Sequence, residues 1–253
     1  MSRYFRWLPI WRRHFLAWRK YWLSSLMFST AEPLVYMVGL GYGLGQMLPE
    51  LGGMTYIVFV ASGSLAFSVQ NGATFEGMYS AFARMFIQRT WDAIINAPMS
   101  ITDVVLAEWI FAASKAVLAC CTFIGALIVL GVSREWTLVW VVPVAFLVGL
   151  VFAGIALIMT AVAKGYEFFS YWFSLGVLPM AMVSGVFFPV EQLPFAVRLI
   201  GDLLPLKHGV ELIRPLMRGF APDNALLHVA TLMVYAIGSF LIALALIKRR
   251  FKN

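Results

Sequence analysis

The sequence predicts an all-α integral membrane protein with six transmembrane helices and both termini in the cytoplasm. Three observations lead to this fold class: 62% of the 253 residues are hydrophobic, only 12% are charged, and the apolar residues form long uncharged runs. A soluble domain carries about 25% charged and 45–50% apolar residues. The composition therefore excludes soluble globular, disordered and disulfide-scaffold proteins, and it indicates a chain that lies in lipid.

The first predicted element is an amphipathic helix over residues 1–21. Aromatic residues recur there at helical spacing, among them Trp7, Trp11 and Trp18, while Arg12 and Arg13 lie on the other side. A helix with one aromatic and one basic face lies in the headgroup plane of a membrane, with its bases toward anionic lipid. We expect an interfacial helix that serves either as a simple anchor or as a lever joining cytoplasmic events to the first span.

Six spans are expected within a transmembrane domain over residues 22–253. Because a span needs about 20 apolar residues, the uncharged runs place the helices near residues 22–45, 55–78, 106–130, 138–162, 168–188 and 226–247. Thirteen of the 19 Lys and Arg residues then lie on the side of the two chain ends. Positive residues concentrate on the cytoplasmic side of membrane proteins, so the +7 net charge indicates orientation and no nucleic-acid partner.

The loop between the second and third spans is the longest cytoplasmic connection. A short amphipathic helix is expected over about 81–95, within a segment 81–97, and Asn96-Ala97-Pro98 ends it. Ser100 and Asp103 then form a capping-box-like start for the next helix. The aromatic and apolar content of this loop indicates docking onto another cytoplasmic protein, and the alternative is a helix that only lies on the membrane surface.

The longest outer connection covers residues 189–222, before the last span. Prolines interrupt an apolar stretch there, which predicts two short helices that re-enter the outer leaflet while packed on protein. The second of these helices is expected over Lys207–Gly219.

Four ionisable residues lie within or at the ends of the predicted spans: Glu32, Glu76, Glu108 and Lys115. Such groups are costly in lipid unless they are paired or hydrated, so each is a candidate for gating or transport. Glu76 and Glu108 also fit simple hydration at the cytoplasmic boundary, whereas Glu32 lies deeper in the first span. Glu108 and Lys115 share one helix face but are two turns apart, too far for direct contact.

Motifs for catalysis and ATP binding are absent from the sequence. It contains no Gly-x-x-x-x-Gly-Lys-Ser/Thr phosphate loop, and its three histidines do not form a zinc motif. No catalytic, metal-binding or cofactor-binding residue is predicted, so the chain is not expected to be an enzyme.

Three stretches of the sequence resemble the ABC-2 type permeases. Gln88–Ser100 is similar to the cytoplasmic coupling region of that family, Gly185–Pro194 to its outer motif after the fifth span, and Leu204–Arg214 to the segment that follows. The resemblance covers nearly the whole chain in the right order. It is closest to the lipooligosaccharide and nodulation-factor exporters, in which Gln-Arg-Thr-Trp-Asp is typical.

The resemblance implies a half-transporter in the bacterial inner membrane. Two copies of the chain would pair with two copies of a separate ATPase, which would bind ATP and Mg²⁺. The substrate would be amphipathic or glycan-bearing: a lipo-oligosaccharide, polysaccharide, glycolipid or hydrophobic drug. The resemblance assigns ATPase coupling to Phe86, Gln88, Arg89, Thr90, Trp91, Asp92, Ile95 and Pro98. It assigns the outer gate to Pro189, Glu191, Pro194, Pro205 and Arg214.

Two other classes stay open from the residues alone. A proton-coupled carrier or channel would use Glu32, Glu108 and Lys115 and would work without an ATPase. Carriers commonly show internal repeats, and none is visible in this sequence. An intramembrane enzyme that modifies lipid or glycan would need a nucleophile or a base, and no such group stands out.

Overall fold

Helices make up most of the computed structural model, which describes residues 5–45, 47, 50–51, 53–97 and 99–251. The α-helices are α1 (Trp7–Trp18), α2 (Trp22–Gly43), α3 (Tyr56–Phe75), α4 (Thr90–Ile95), α5 (Ile101–Val129), α6 (Leu138–Val162), α7 (Glu167–Trp172), α8 (Leu178–Val183), α9 (Phe195–Leu203), α10 (Pro205–Leu216) and α11 (Ala225–Arg250). A small antiparallel hairpin, which the sequence did not predict, pairs β1 (Glu50–Leu51) with β2 (Met54–Thr55).

Four helical stretches are long and apolar enough to cross a membrane: Trp7–Gly43, Ile101–Val129, Leu138–Val162 and Ala225–Arg250. They contain the first, third, fourth and sixth predicted spans, and they confirm the helical membrane-protein class. The fifth predicted span is a shorter apolar helix over Glu167–Val183. Six spans and the cytoplasmic placement of both termini remain predictions.

The second predicted span, α3, lies at the centre of the helix bundle. It packs against α2, α5, α6 and α10. Its polar side chains Ser62, Ser64, Gln70 and Asn71 are buried. Because a helix enclosed by other helices contacts little lipid, it can carry polar side chains that interact with its neighbours. The modest hydropathy of α3 therefore reflects an interior position in the bundle.

The third predicted span begins earlier than expected, at Ile101 instead of near residue 106. The capping box predicted at Ser100 and Asp103 accounts for this start. The Asp103 backbone N–H donates to Ser100 Oγ over 3.2 Å, and the Ser100 backbone N–H donates to Asp103 Oδ2 over 3.0 Å. Two backbone donors at the helix start are satisfied in this way.

Residues 76–97, which we call the cytoplasmic segment after their predicted side of the membrane, differ from the single helix predicted over 81–95. The chain leaves α3 through π-helical turns at Glu76–Ser80 and Ala83–Ile87. It then turns at Arg89, which has a φ of 48°, and enters α4. π-Helical turns inside helices are frequent at functional sites, and a positive φ is uncommon for a residue other than glycine. The break separates α4 from the helix that leads into it.

The two short outer helices predicted from the prolines are α9 and α10. Pro205 begins α10. Proline is well tolerated at a first helical position, because the backbone N–H that it lacks would have no acceptor within the helix. The helix ends at Leu216, before the predicted limit at Gly219, which adopts a φ of 83°. Glycine tolerates this left-handed conformation and commonly follows a helix end.

Candidate functional site

A buried group of charged side chains lies where the ends of α3 and α5 meet the cytoplasmic segment. Arg84 is at its centre: Nε donates to Glu108 Oε1 over 2.8 Å, and Nη2 donates to Glu108 Oε2 over 2.5 Å and to Glu76 Oε1 over 2.8 Å. Lys115 Nζ donates to Glu76 Oε2 over 2.7 Å. We call Glu76, Arg84, Glu108 and Lys115 the Arg84 cluster.

The interpretation of Glu76 and Glu108 as simply hydrated residues is wrong. Their side chains are only 2% and 1% exposed, and each faces a cation. Burial alone would lower the pKa of Arg84, but the two carboxylates raise it above its usual value. Two anions and two cations therefore balance within the cluster. Removing one partner of such a buried pair leaves an uncompensated charge, so its members are held together strongly.

Helices α1 and α4 both contact Glu108 through one oxygen. Trp91 of α4 is fully buried and donates its indole Nε1–H to Glu108 Oε1 over 3.0 Å. His14 of α1 places Nε2 3.2 Å from the same oxygen. Glu108 therefore joins α5 to both α1 and α4. No earlier feature marked Arg84 or His14 as a site residue, although His14 follows Trp11 by three positions and so lies on the aromatic face of α1.

The predicted coupling residues divide between two faces of the cytoplasmic segment. Gln88, Arg89 and Asp92 are exposed, Trp91 is buried, and Phe86, Thr90 and Ile95 are half-buried. Thr90 Oγ1 donates to the Arg84 carbonyl oxygen over 3.0 Å, which fastens the start of α4 to the turn that carries the cluster. The exposed set is available to a partner while the buried set contacts the spans. Pro98 lies outside the described residues.

A groove of about 480 Å³ opens between α1 and the cytoplasmic segment. Ile10 and Arg13 belong to one wall, and Arg89, Ala93 and Ala97 belong to the other. Both walls contain an arginine beside apolar side chains, so the groove could hold an apolar group flanked by acidic ones.

The aromatic face of α1 packs on protein more than the sequence predicted. Trp18 is buried, Trp7 and Trp11 are half-buried, and Arg12 and Arg13 are exposed. Trp11 Nε1 lies 3.4 Å from Ser114 Oγ of α5. The amino-terminal helix therefore rests directly on the span that carries Glu108.

The carboxyl-terminal helix also reaches the cytoplasmic segment. The Arg250 guanidinium of α11 lies 4.2 Å from the centre of the Phe86 ring. The same side chain donates to the carbonyl oxygens of Ala161 over 2.6 Å and Ala163 over 2.8 Å at the end of α6. Cationic side chains stabilise the free carbonyls at a helix carboxyl end. Arg250 thus holds α6, α11 and the cytoplasmic segment together.

Glu32 lies apart from the Arg84 cluster. Asn71 Nδ2 lies 3.3 and 3.4 Å from the two Glu32 carboxylate oxygens. Both residues line a crevice of about 320 Å³ between α2 and α3, and Lys115 lines it as well. The three residues of the carrier hypothesis do not form one proton pathway by direct contact, because Glu108 pairs with Arg84 and Lys115 pairs with Glu76.

The predicted outer-gate residues lie at the joints of the outer segment. Arg214 of α10 donates through Nη2 to the Gly185 carbonyl oxygen over 2.6 Å and through Nε to Ser62 Oγ over 3.1 Å. Its guanidinium also lies 3.9 Å from the centre of the Phe59 ring. Arg214 therefore connects α10 to α3 and to the chain after α8. Pro189 and Pro194 directly precede helical turns, Pro205 begins α10, and Glu191 lies within the 3-10 turn Val190–Gln192.

Comparison with known proteins gives a consistent result. The sequence profile of the ABC-2 type transporter family matches residues 7–218. The chain is 43% identical to Nodulation protein J of Rhizobium meliloti (strain 1021) over 245 residues, which cover 96% of this chain and 93% of that protein. It is 42% identical to Nodulation protein J of Bradyrhizobium diazoefficiens over 97% of this chain and 94% of that protein. It is 24% identical to the inner membrane transport permease YadH of Escherichia coli (strain K12), over 95% and 93% of the two chains.

Proposed function

The chain belongs to the ABC-2 type transporter family, and from this premise we propose that it is the permease of an exporter driven by a separate ATPase. It is a multi-pass membrane protein, and membrane subunits of this family are transport components that generally pair with an ATPase subunit. In the proposed complex, two copies of this chain cross the bacterial inner membrane with six spans each and both termini in the cytoplasm. Two ATPase copies bind ATP and Mg²⁺.

The observation that carries this proposal is the contact between α4 and the spans. The exposed residues Gln88, Arg89 and Asp92 are available to the ATPase, and their neighbour Trp91 donates a hydrogen bond to Glu108. Glu108 is bound in turn to Arg84, which also holds Glu76 at the end of α3. A movement of α4 would therefore reach two spans through a continuous set of short polar contacts. Chains of packed side chains and networks of hydrogen bonds or ion pairs can carry energetic coupling between distant sites.

The amino-terminal helix adds a second input to the same carboxylate. His14 approaches Glu108 from α1, while Arg12 and Arg13 face away from the bundle. In the proposed orientation these arginines contact anionic lipid headgroups or the ATPase, and α1 and α4 form the two walls of one groove. Closure of the ATPase would then shift both helices against α5.

We propose a lipo-oligosaccharide or related glycolipid as the exported substrate. Relatives named Nodulation protein J match nearly the full length of this chain at about 40% identity. The proposal rests on these relatives and on the resemblance of the coupling motif to lipooligosaccharide exporters. Membership of the transporter family disfavours both the proton-coupled carrier and the intramembrane enzyme.

Co-expression with the candidate ATPase tests the proposal. The two proteins should purify together, and ATP hydrolysis in proteoliposomes should depend on this chain. Trp91→Phe keeps an aromatic ring but loses the donor to Glu108, so coupled hydrolysis should fall severalfold while the complex still assembles. Trp109→Phe is the matched control, because it loses an indole hydrogen bond to the Leu150 carbonyl within the bundle.

Two results would contradict the proposed function. In the first, no ATPase associates with the purified chain. In the second, hydrolysis by the complex is the same in Trp91→Phe, in Trp109→Phe and in the unaltered protein.

A further inference from the structure

The crevice between α2 and α3 is lined by polar and aromatic side chains that suit a bound ligand. The proposed coupling of α4 to the spans gives these side chains no function. The crevice is lined by Tyr21, by the first half of α2 as far as Glu32, and by the last half of α3, from Ser68 to Phe75. In the proposed orientation these halves lie toward the cytoplasm. Lys115, a member of the Arg84 cluster, also lines the crevice. A ligand in this position would therefore lie next to the groups that join the spans to α4.

The crevice contains hydrogen-bond acceptors without partners. Asn71 is 4% exposed, and its Oδ1 atom has no hydrogen-bond partner within the described residues. Among the described residues, the Glu32 carboxylate accepts a hydrogen bond only from Asn71 Nδ2. A carboxylate has about four acceptor sites, so most of those on Glu32 are unused. A buried polar atom left without a partner is costly, which makes a bound donor favourable at this place.

The lining favours a neutral headgroup that carries several hydroxyl groups. Hydroxyls can donate to Glu32 and to Asn71 Oδ1, while the aromatic rings of Tyr21, Phe28 and Phe75 can pack against the apolar face of a sugar ring. An anionic headgroup would be repelled by Glu32, and it would bring acceptors where donors are needed. A quaternary ammonium headgroup would be attracted by Glu32, but it has no N–H or O–H group to donate to Asn71 Oδ1.

The surface beside the crevice suits an attached hydrocarbon chain. Met27, Phe28 and Val35 of α2 are 65%, 73% and 69% exposed. An acyl chain in the membrane could therefore follow the apolar side of α2 while its headgroup occupies the polar crevice.

We propose that this crevice binds the neutral glycan headgroup of an amphipathic substrate as it enters from the cytoplasmic leaflet. This inference rests on the proposed export function and deepens it, because it names the part of the substrate that is recognised and the place of loading. Glu32 and Asn71 are the specificity-determining pair, and the serine hydroxyls of α2 and α3 provide further polar contacts.

Binding of a simple glycoside to the purified full-length chain in nanodiscs tests the inference. The probe is radiolabelled dodecyl maltoside, and dodecyl phosphate and dodecyltrimethylammonium are competitors with the same tail. Glu32→Gln keeps the size of the side chain but removes its charge, and hydrogen bonds to charged groups are worth about tenfold or more in affinity. The Kd should therefore rise at least about tenfold, whereas Glu167→Gln, a change of an exposed residue at the start of α7, should leave it unaltered.

A second pair of variants tests the site by side-chain size and leaves Glu32 and Asn71 unchanged. Ser24 and Leu23 are adjacent and exposed, and only Ser24 lines the crevice. Ser24→Trp should abolish saturable binding of dodecyl maltoside, and Leu23→Trp should retain it. In the unaltered chain the two charged competitors should displace the glycoside poorly.

Three outcomes would overturn the inference. The first is an equal Kd in all four variants, and the second is equal competition by the maltoside, phosphate and trimethylammonium headgroups. The third is a disulfide-linked dimer of Ser24→Cys that forms under mild oxidation and that an excess of dodecyl maltoside does not prevent. The last result would assign the crevice to a second copy of the chain. Glycoside binding is measured without an ATPase, so the two proposals can fail separately. If the four variants give the expected Kd values but no ATPase associates with the chain, only the proposed function is contradicted. A coupled complex whose Glu32→Gln variant binds glycoside normally would contradict only the crevice assignment.

Discussion

Removing one charge from the Arg84 cluster should destabilise the protein more than removing two opposite charges. Arg84→Met leaves Glu76 and Glu108 facing only Lys115 and His14, and Glu108→Gln leaves an excess cation. Loss of one partner from a buried pair costs about 3–5 kcal/mol. For a chain of this size each kcal/mol corresponds to about 2–4 °C in the unfolding midpoint. Each single variant should therefore unfold about 6–20 °C lower.

The double variant Arg84→Met/Glu108→Gln should recover much of this loss. It keeps the Glu76–Lys115 pair, so the remaining charges balance again. The amide oxygen of a glutamine at position 108 can still accept the Trp91 hydrogen bond. We expect an interaction energy of about 2–3 kcal/mol in the double-mutant cycle, which is in the upper range for residues in one network.

Thermal unfolding of the purified chain in detergent, followed by tryptophan fluorescence, measures this cycle. Arg134→Met is the control, because Arg134 is exposed in the loop between α5 and α6 and forms no ion pair among the described residues. Its effect should stay within about 0.5 kcal/mol. Additive single effects in the double variant, or an Arg84→Met protein that unfolds at the temperature of the unaltered chain, would show that charge balance does not stabilise the cluster.

Two further predictions concern helix packing and the outer segment. A Cβ on Gly63 would overlap the backbone of Val186, so Gly63→Ala should lower the unfolding midpoint by several degrees. Gly165→Ala is the control and should change the midpoint little, because a Cβ there meets no atom within 4 Å. Equal midpoints for the two variants would contradict the close packing of Gly63 on Val186. Burial and the neighbouring His228 lower the pKa of His208, so the unfolded chain binds a proton more strongly there. Stability should therefore fall as the pH drops through the ordinary histidine value of about 6.5, and His208→Gln should reduce this dependence in unfolding scans between pH 7.5 and 5. A pH slope unchanged by the substitution would exclude His208 as its source.

Local sequence patterns predicted the helices well where lipid or a cap decided the structure. Long apolar runs located α5, α6 and α11 within several residues, and the Ser100–Asp103 pair explains where α5 begins. The prolines of the outer segment indicated α9 and α10. In these segments the conformation depends on neighbours along the chain, which the sequence shows directly.

Contacts between distant segments were beyond these patterns. The sequence marks Glu76, Glu108 and Lys115 as unusual and assigns no role to Arg84, which is the cation that joins Glu76 to Glu108. Arg84 lies in a π-helical turn, and the positive φ of Arg89 then turns the chain into α4, from which Trp91 reaches Glu108. Neither feature has a clear sequence signal.

In the proposed complex, the turn at Arg89 lets the cytoplasmic segment serve both as a docking surface and as part of the bundle. If helix 81–95 were continuous and lay on the membrane, all its inward side chains would face lipid and no residue would connect a partner to the spans. The turn at Arg89 instead starts a short helix whose inward residue, Trp91, reaches Glu108, while Asp92 stays exposed. Because Glu108 is already fixed by Arg84, a displacement of α4 must either carry α5 along or break buried polar contacts. Breaking them is costly, so in the proposed complex movement of the spans is the favoured response to ATPase closure.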